Sequence, residues 1–167
     1  QEFQKLLTIE QNKFYKDFGN ACFSETSVSK TVYSDLRNAA NEAIKKDDFK
    51  TAIQNYTTIV KDQQATAVDY AITGYCYLLT KQYTKALQIL KNAEKVDETE
   101  LLVKINLAHA YLLNGDYSEA KSIYKNYQTQ NINANTAWTQ KVKDDFELFQ
   151  KKGITNDDFD RVLKLFR

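Results

Sequence analysis

Tyr83-Thr84-Lys85-Ala86 is answered further along the chain by Tyr117-Ser118-Glu119-Ala120 and, before it, by Phe49-Lys50-Thr51-Ala52. The step is 34 in both directions. The same step joins Ala43, Tyr77 and Tyr111, the small residues Ala40, Gly74 and Ala108, and the bulky residues Tyr56, Leu90 and Tyr124. A fixed period held at five positions over three copies is the signature of a repeat architecture, in which one supersecondary unit stacks on the next. The residue types say which unit. Glycine in the middle of a helix is about 1 kcal/mol worse than alanine. A small residue at 40, 74 and 108 therefore makes sense where a second helix crosses closely, with Ala52, Ala86 and Ala120 as counterparts and the aromatics filling the wedge between the pair.

Helix ends fall in the same register. Thr66 with Asp69 three residues on reads as a capping box opening the first helix of the second copy, and Asp116 with Glu119 opens the second helix of the third. Asp48 holds the equivalent place in the first copy. Asn114-Gly115 closes a helix with residues that tolerate left-handed backbone. The links 46–48, 80–82 and 114–116 are of helix-hairpin length.

This pattern resembles the tetratricopeptide repeat (TPR) family, whose 34-residue unit is a helix–turn–helix. The second copy carries Tyr70, Thr73, Gly74, Tyr77, Ala86 and Leu90 at the motif positions, and the third carries Lys104, Leu107, Ala108, Tyr111, Ala120 and Tyr124. The first copy is weaker, with Leu36, Ala39, Ala40, Ala43, Ala52 and Tyr56. The family's closing proline is missing from every copy, since the chain has none. The resemblance implies an all-α, right-handed solenoid of three units at 33–66, 67–100 and 101–134. These follow an N-terminal segment, 1–32, and precede two capping helices in 135–167.

Composition agrees. The 167 residues are 43% hydrophobic and 27% charged, with four glycines. A sheet protein with a turn every ten residues would want more Gly and Pro. Lys+Arg 23 against Asp+Glu 22 leaves +1, which argues against a nucleic-acid binder that relies on a strongly basic surface; a local patch can still hide in a balanced total. No apolar run is long enough for an integral membrane segment. Cys22 and Cys76 lack a CxxC or a nearby His, so no metal is expected; the two either pair or are small buried residues. Asn55-Tyr56-Thr57 matches a glycosylation sequon but falls within a predicted helix. The chain starts at Gln1 and has no Met, which favours an exported form with its leader removed over a cytoplasmic one, while a trimmed chain explains the same fact.

The flanks supply caps, which a solenoid needs at its ends. Trp138, Val142, Phe146 and Phe149 step by 4, 4 and 3 along one helical face, and Lys141, Lys143, Asp144, Glu147 and Lys151 fall largely off it. Gly153 ends that helix, and Thr155 with Asp158 is expected to open another carrying Phe159, Val162, Leu163 and Phe166. Phe3, Leu7, Phe14 and Phe18 share a face in a predicted helix at roughly 2–20.

Nothing in the sequence reads as catalytic, and no cofactor is implied. His109 is the single histidine and has no nucleophile beside it. The pairs Asp47-Asp48, Asp144-Asp145 and Asp157-Asp158 read as helix-end or solvated charge. The TPR resemblance implies a non-catalytic scaffold that receives a peptide or helical segment of a protein partner in a concave groove lined by the first helix of each unit. Carried over by register, that lining is Ser34, Arg37, Asn41 and Lys45, then Ala71, Tyr75, Leu78 and Leu79, then Leu102, Ile105, His109 and Leu112. Arg37 and Asn41 form a polar rim, and Tyr75, Leu78, His109 and Leu112 the apolar centre. The family's carboxylate clamp is incomplete, with Ile72, Leu102 and Asn106 at its later places. Two alternatives stand beside this one: an enzyme with a site assembled around His109, and a structural module of a larger exported protein. A flanking helix that covers the groove would turn its centre into core.

Overall fold

The structure is a computed structural model, and it describes residues 31–166. The predicted N-terminal helix, the linker after it and Cys22 lie outside the described residues. Contacts divide the chain into 1–38 and 39–167.

Three helix pairs follow one another, α1 (described over 31–45) with α2 (Phe49–Lys61), α3 (Ala67–Leu79) with α4 (Tyr83–Val96), and α5 (Leu101–Leu113) with α6 (Tyr117–Tyr127). A short hairpin of β1 (Asn131–Asn133) and β2 (Thr136–Ala137) leads to α7 (Trp138–Lys151), the short α8 (Phe159–Leu163) and a 3₁₀ turn, Lys164–Phe166. This is the all-α helix–turn–helix solenoid that the repeat implied.

The period governs the turns as well as the core. Asp47, Lys81 and Gly115 all have positive φ, at 60°, 59° and 86°. Just after them, Asp48 N–H, Gln82 N–H and Asp116 N–H donate to the carbonyls of Ala43, Tyr77 and Tyr111, each at 2.9 Å. Each first helix thus closes on a left-handed residue that turns the next amide back onto the helix's last carbonyls. Glycine stands there in the third copy alone, although aspartate and lysine are less at ease with positive φ. Asp48 then accepts from Thr51 N–H at 3.1 Å and Asp116 from Glu119 N–H at 3.1 Å, capping α2 and α6. Thr66 and Asp69 close the full capping box of α3.

Ala40, Ala52, Ala86, Ala108 and Ala120 are completely buried, as are Leu90 and Tyr124, and Tyr56 is nearly so. The close approach at Gly74 is to Leu90: a β-carbon placed on Gly74 would lie 2.5 Å from its Cγ. Trp138, Val142, Phe146 and Phe149 are buried, as the stripe in α7 predicts. Gly153, at φ 68°, ends α7 with Ile154 N–H donating to Phe149 O at 2.8 Å.

Three expectations are corrected. The hairpin between α6 and α7 has no counterpart in the sequence reading; Asn133 Oδ1 accepts from Asn135 N–H at 2.9 Å and shapes its turn. Thr155 does not cap α8. Asn156 turns that corner instead, accepting from Asp158 N–H at 2.8 Å and donating to Leu112 O at 3.1 Å, so its side chain ties the cap to α5. Asp145, expected as solvated charge, is 2% exposed.

Candidate functional site

Within residues 39–167, the first helices of the three pairs and α7 enclose a cleft of about 280 Å³. Ile44 of α1, Ala71 and Ile72 of α3 and Leu102 of α5 give it apolar walls; Asn41, Tyr75, Asn106 and Lys141 add polar atoms. The reason lies in the register. Ala71 and Ile105, one repeat apart, are fully buried, while their neighbours Ile72 and Leu102 are half-exposed and open to the cleft. Asn41 Oδ1 accepts from Tyr56 O–H at 2.9 Å, and Asn106 Nδ2 donates to Ala71 O at 3.0 Å, so both amides are held from behind.

Next to the cleft is a buried polar cluster. His109 Nδ1 lies 2.7 Å from Tyr124 O–H, and its Nε2 lies 3.2 Å from Asp145 Oδ2. The other carboxylate oxygen of Asp145 accepts from Tyr75 O–H at 2.7 Å and from Lys141 Nζ at 2.5 Å. Lys141 Nζ also stands 5.2 Å from the centre of the Tyr75 ring. Four helices, α3, α5, α6 and α7, therefore meet on one carboxylate and one imidazole. Phe146 and Phe149 close around the His109 ring at centroid distances of 5.5 and 5.3 Å.

Burial fixes the protonation states. Desolvation pushes His109 below its ordinary value, and Asp145 offsets this only in part. The neutral ring then donates Nε2–H to Asp145 and accepts at Nδ1 from the Tyr124 hydroxyl, the one tautomer that satisfies both partners. Burial alone would raise the Asp145 carboxyl, but His109 and Lys141 outweigh it and hold it below the usual carboxylate value. Burial and the neighbouring Asp145 carboxylate push the Tyr75 and Tyr124 hydroxyls far up, so both stay protonated donors. Desolvation pushes the Cys76 thiol up to about 12; it is a buried, free thiol and not a nucleophile.

The six residues expected to form the groove part company. Asn41 and Tyr75 line the cleft. Leu78, His109 and Leu112 have 0, 0 and 1% of their surface exposed and present none of it to a partner. For His109 the physical cause is α7, whose Phe146, Phe149 and Asp145 close on the ring. Arg37 is half-buried in the first of the two units. Sequence reasoning missed Ile44 and the contribution of Lys141, and it missed Asp145. The signal for Asp145 was available: it follows Val142 by three residues and precedes Phe149 by four, so it stands inside the apolar stripe. A carboxylate on such a face demands a buried partner.

Among the described residues no group of His, Cys, Asp and Glu is placed to hold a metal, and no helix is long and apolar enough to cross a membrane.

Comparison with known proteins points the same way as the repeat. The tetratricopeptide repeat family matches residues 77–131. The chain is 27% identical over 128 residues to small glutamine-rich tetratricopeptide repeat-containing protein 2 of Saccharomyces cerevisiae, an alignment covering 77% of this chain and 36% of that protein. It is 34% identical over 62 residues to mitochondrial import receptor subunit TOM34 of Homo sapiens and of Pongo abelii, covering 37% of this chain and 20% of each relative. The chain thus spans about a third of the first relative's length and a fifth of the others'. With three helix pairs in one repeating register, closed by equivalent turns, this chain is similar to tetratricopeptide repeat proteins in its fold and, over residues 77–131, in its sequence.

Proposed function

We propose that the chain is a non-catalytic adaptor that holds an extended or helical segment of a partner protein in the cleft between α1, α3, α5 and α7. The cleft carries this reading: it is open, walled by Ile44, Ile72 and Leu102, and edged by the Asn41, Asn106 and Lys141 side chains. Apolar walls with a few fixed polar atoms suit the anchor side chain of a peptide, with the polar atoms orienting its backbone. At about 280 Å³ the space suits one or two aliphatic side chains, not a folded domain. The relatives' names fit the same class, as one of them is a receptor subunit. An enzyme built around His109 gains no support, because the ring is fully buried with both nitrogens engaged.

Peptides selected from a random display library against the intact chain test this. Ile72→Glu and Leu102→Glu place a charge on the cleft walls without touching a fully buried residue, and each is expected to weaken the selected peptides tenfold or more. Peptides that bind both variants as they bind the parent would remove the cleft from the function.

A further inference from the structure

The second helices of the three pairs, α2, α4 and α6, turn equivalent faces to solvent. Residues 50, 84 and 118 are exposed, as are 54, 88 and 122, and 58, 92 and 126, each set spaced by one repeat. Stacking at one helix pair per repeat brings these faces side by side.

Their charge is one-sided. The exposed residues of these helices include Lys50 and Lys61 on α2, Lys85, Lys91 and Lys95 on α4, and Lys121 and Lys125 on α6. The same helices hold two acids. Glu94 is tied to Lys104 of α5 at 2.5 Å, which leaves Glu119 as the exposed one. None of the seven lysines is in an ion pair among the described residues; elsewhere Lys45, Lys104, Lys141, Lys152 and Arg161 all are. Lys91 lies over the Tyr111 ring at 5.2 Å, and Lys85 lies over Tyr77 at 5.9 Å and bonds Gln82. Acids do stand in the connecting turns, Asp48, Asp62, Asp97, Glu98 and Asp116 among them, and Lys50 helps to hold the Asp48 carboxyl below its ordinary value, so the lysine face is bordered by acids at its helix ends. The chain's net charge of +1 conceals this segregation.

We propose that this lysine face docks the protein on an anionic lipid surface. The composition favours a charged surface over a discrete partner. The face has no arginine, whose fork would grip individual carboxylates, and no exposed aromatic ring for stacking on bases. Val96, at the end of α4, is its exposed large apolar side chain. Dispersed ammonium groups on flexible stems suffice for a membrane bearing acidic headgroups, which attracts clusters of four to eight lysines. The face lies on the second helices, and the cleft is walled by first helices and α7, so the two functions use different side chains.

The test is co-sedimentation of the 167-residue chain with vesicles of phosphatidylcholine alone and with about one third phosphatidylserine. Binding to the acidic vesicles only, lost as salt is raised, is the expected result. Lys91→Glu/Lys95→Glu/Lys125→Glu should weaken it tenfold or more, with the helical circular dichroism and melting of the parent, while the corresponding Arg triple should bind as the parent does. Lys50→Glu/Lys61→Glu on α2 repeats the test should the first variant fail to fold. Equal binding to both kinds of vesicle, or no loss in the folded Glu variants, would overturn the proposal. So would retention on polyglutamate with none on acidic vesicles, which would assign the face to an acidic protein instead.

Discussion

Gly74→Ala should change sign with its surroundings. On an exposed helix the substitution stabilises by about 1 kcal/mol, because alanine is the better helix former. Here the new β-carbon would sit 2.5, 2.7 and 2.9 Å from Cγ, Cδ2 and Cδ1 of Leu90, closer than such atoms pack, and Leu90 is completely buried. Overpacking of that kind opposes by about 1–3 kcal/mol, so the net is a loss of about 1 kcal/mol. All three crowded atoms lie beyond the Leu90 β-carbon. Leu90→Ala, itself worth a loss of about 2–5 kcal/mol, removes them together. In that background Gly74→Ala gains its helix propensity and fills part of the cavity with a methyl group worth about 0.8 kcal/mol, stabilising by about 1–2 kcal/mol. Urea unfolding of the parent, the two single variants and the double variant gives the coupling, expected at about 2–3 kcal/mol. A Gly74→Ala shift of the same sign and size in both backgrounds would refute the close crossing of α3 and α4 at this point.

Asp145→Ala strips the acceptor from Tyr75, His109 and Lys141 at once, and should lower the unfolding free energy by about 3–5 kcal/mol in urea titrations; a loss below about 1 kcal/mol would mean that the cluster adds little. His109 gives a pH dependence that can be isolated, because the chain has no other histidine. Its folded value is depressed, so the unfolded chain takes up the proton first, and stability present above about 6.5 is lost as pH falls below it, by roughly 1 kcal/mol per pH unit. His109→Gln should flatten that slope between about pH 7 and 5.5, and an unchanged slope would contradict a neutral buried ring. Asp145 acts at lower pH: its depressed carboxyl stabilises above the ordinary value near 3.8 and ceases to do so as pH falls through its folded value.

The helix pairs were legible because self-similarity at a fixed period averages over local ambiguity. Ala40, Gly74 and Ala108 mean little singly, and as a series they locate a crossing. The stripe in α7 was legible for the same reason, as Trp138, Val142, Phe146 and Phe149 repeat a spacing. The site was read less well. His109 and Asp145 lie on helices far apart in the chain and neither belongs to a repeating series, so no periodicity links them. The expected groove included Leu78, His109 and Leu112, because the repeat register places them on first helices. Whether such a face stays open depends on what packs over it, and α7 lies outside the repeat. The β1–β2 hairpin is too short for a pattern to emerge.

The placement of α7 also bears on how an array of this kind can change length. Asp145 bonds to α5 and Phe146 packs on α5 and α6, so the helix occupies the berth that the first helix of a fourth unit would need. Trp138, Phe149 and Phe159 bury their surface there, and that apolar face is closed to another unit. No further unit can stack directly on α5 and α6 while α7 lies there. A duplication event can lengthen the array only upstream of α5, where one repeat unit meets the next and the junctions are interchangeable. Helix α7 thus works as a stop signal for stacking on the third pair, because its side chains already fill the face that a following first helix would need.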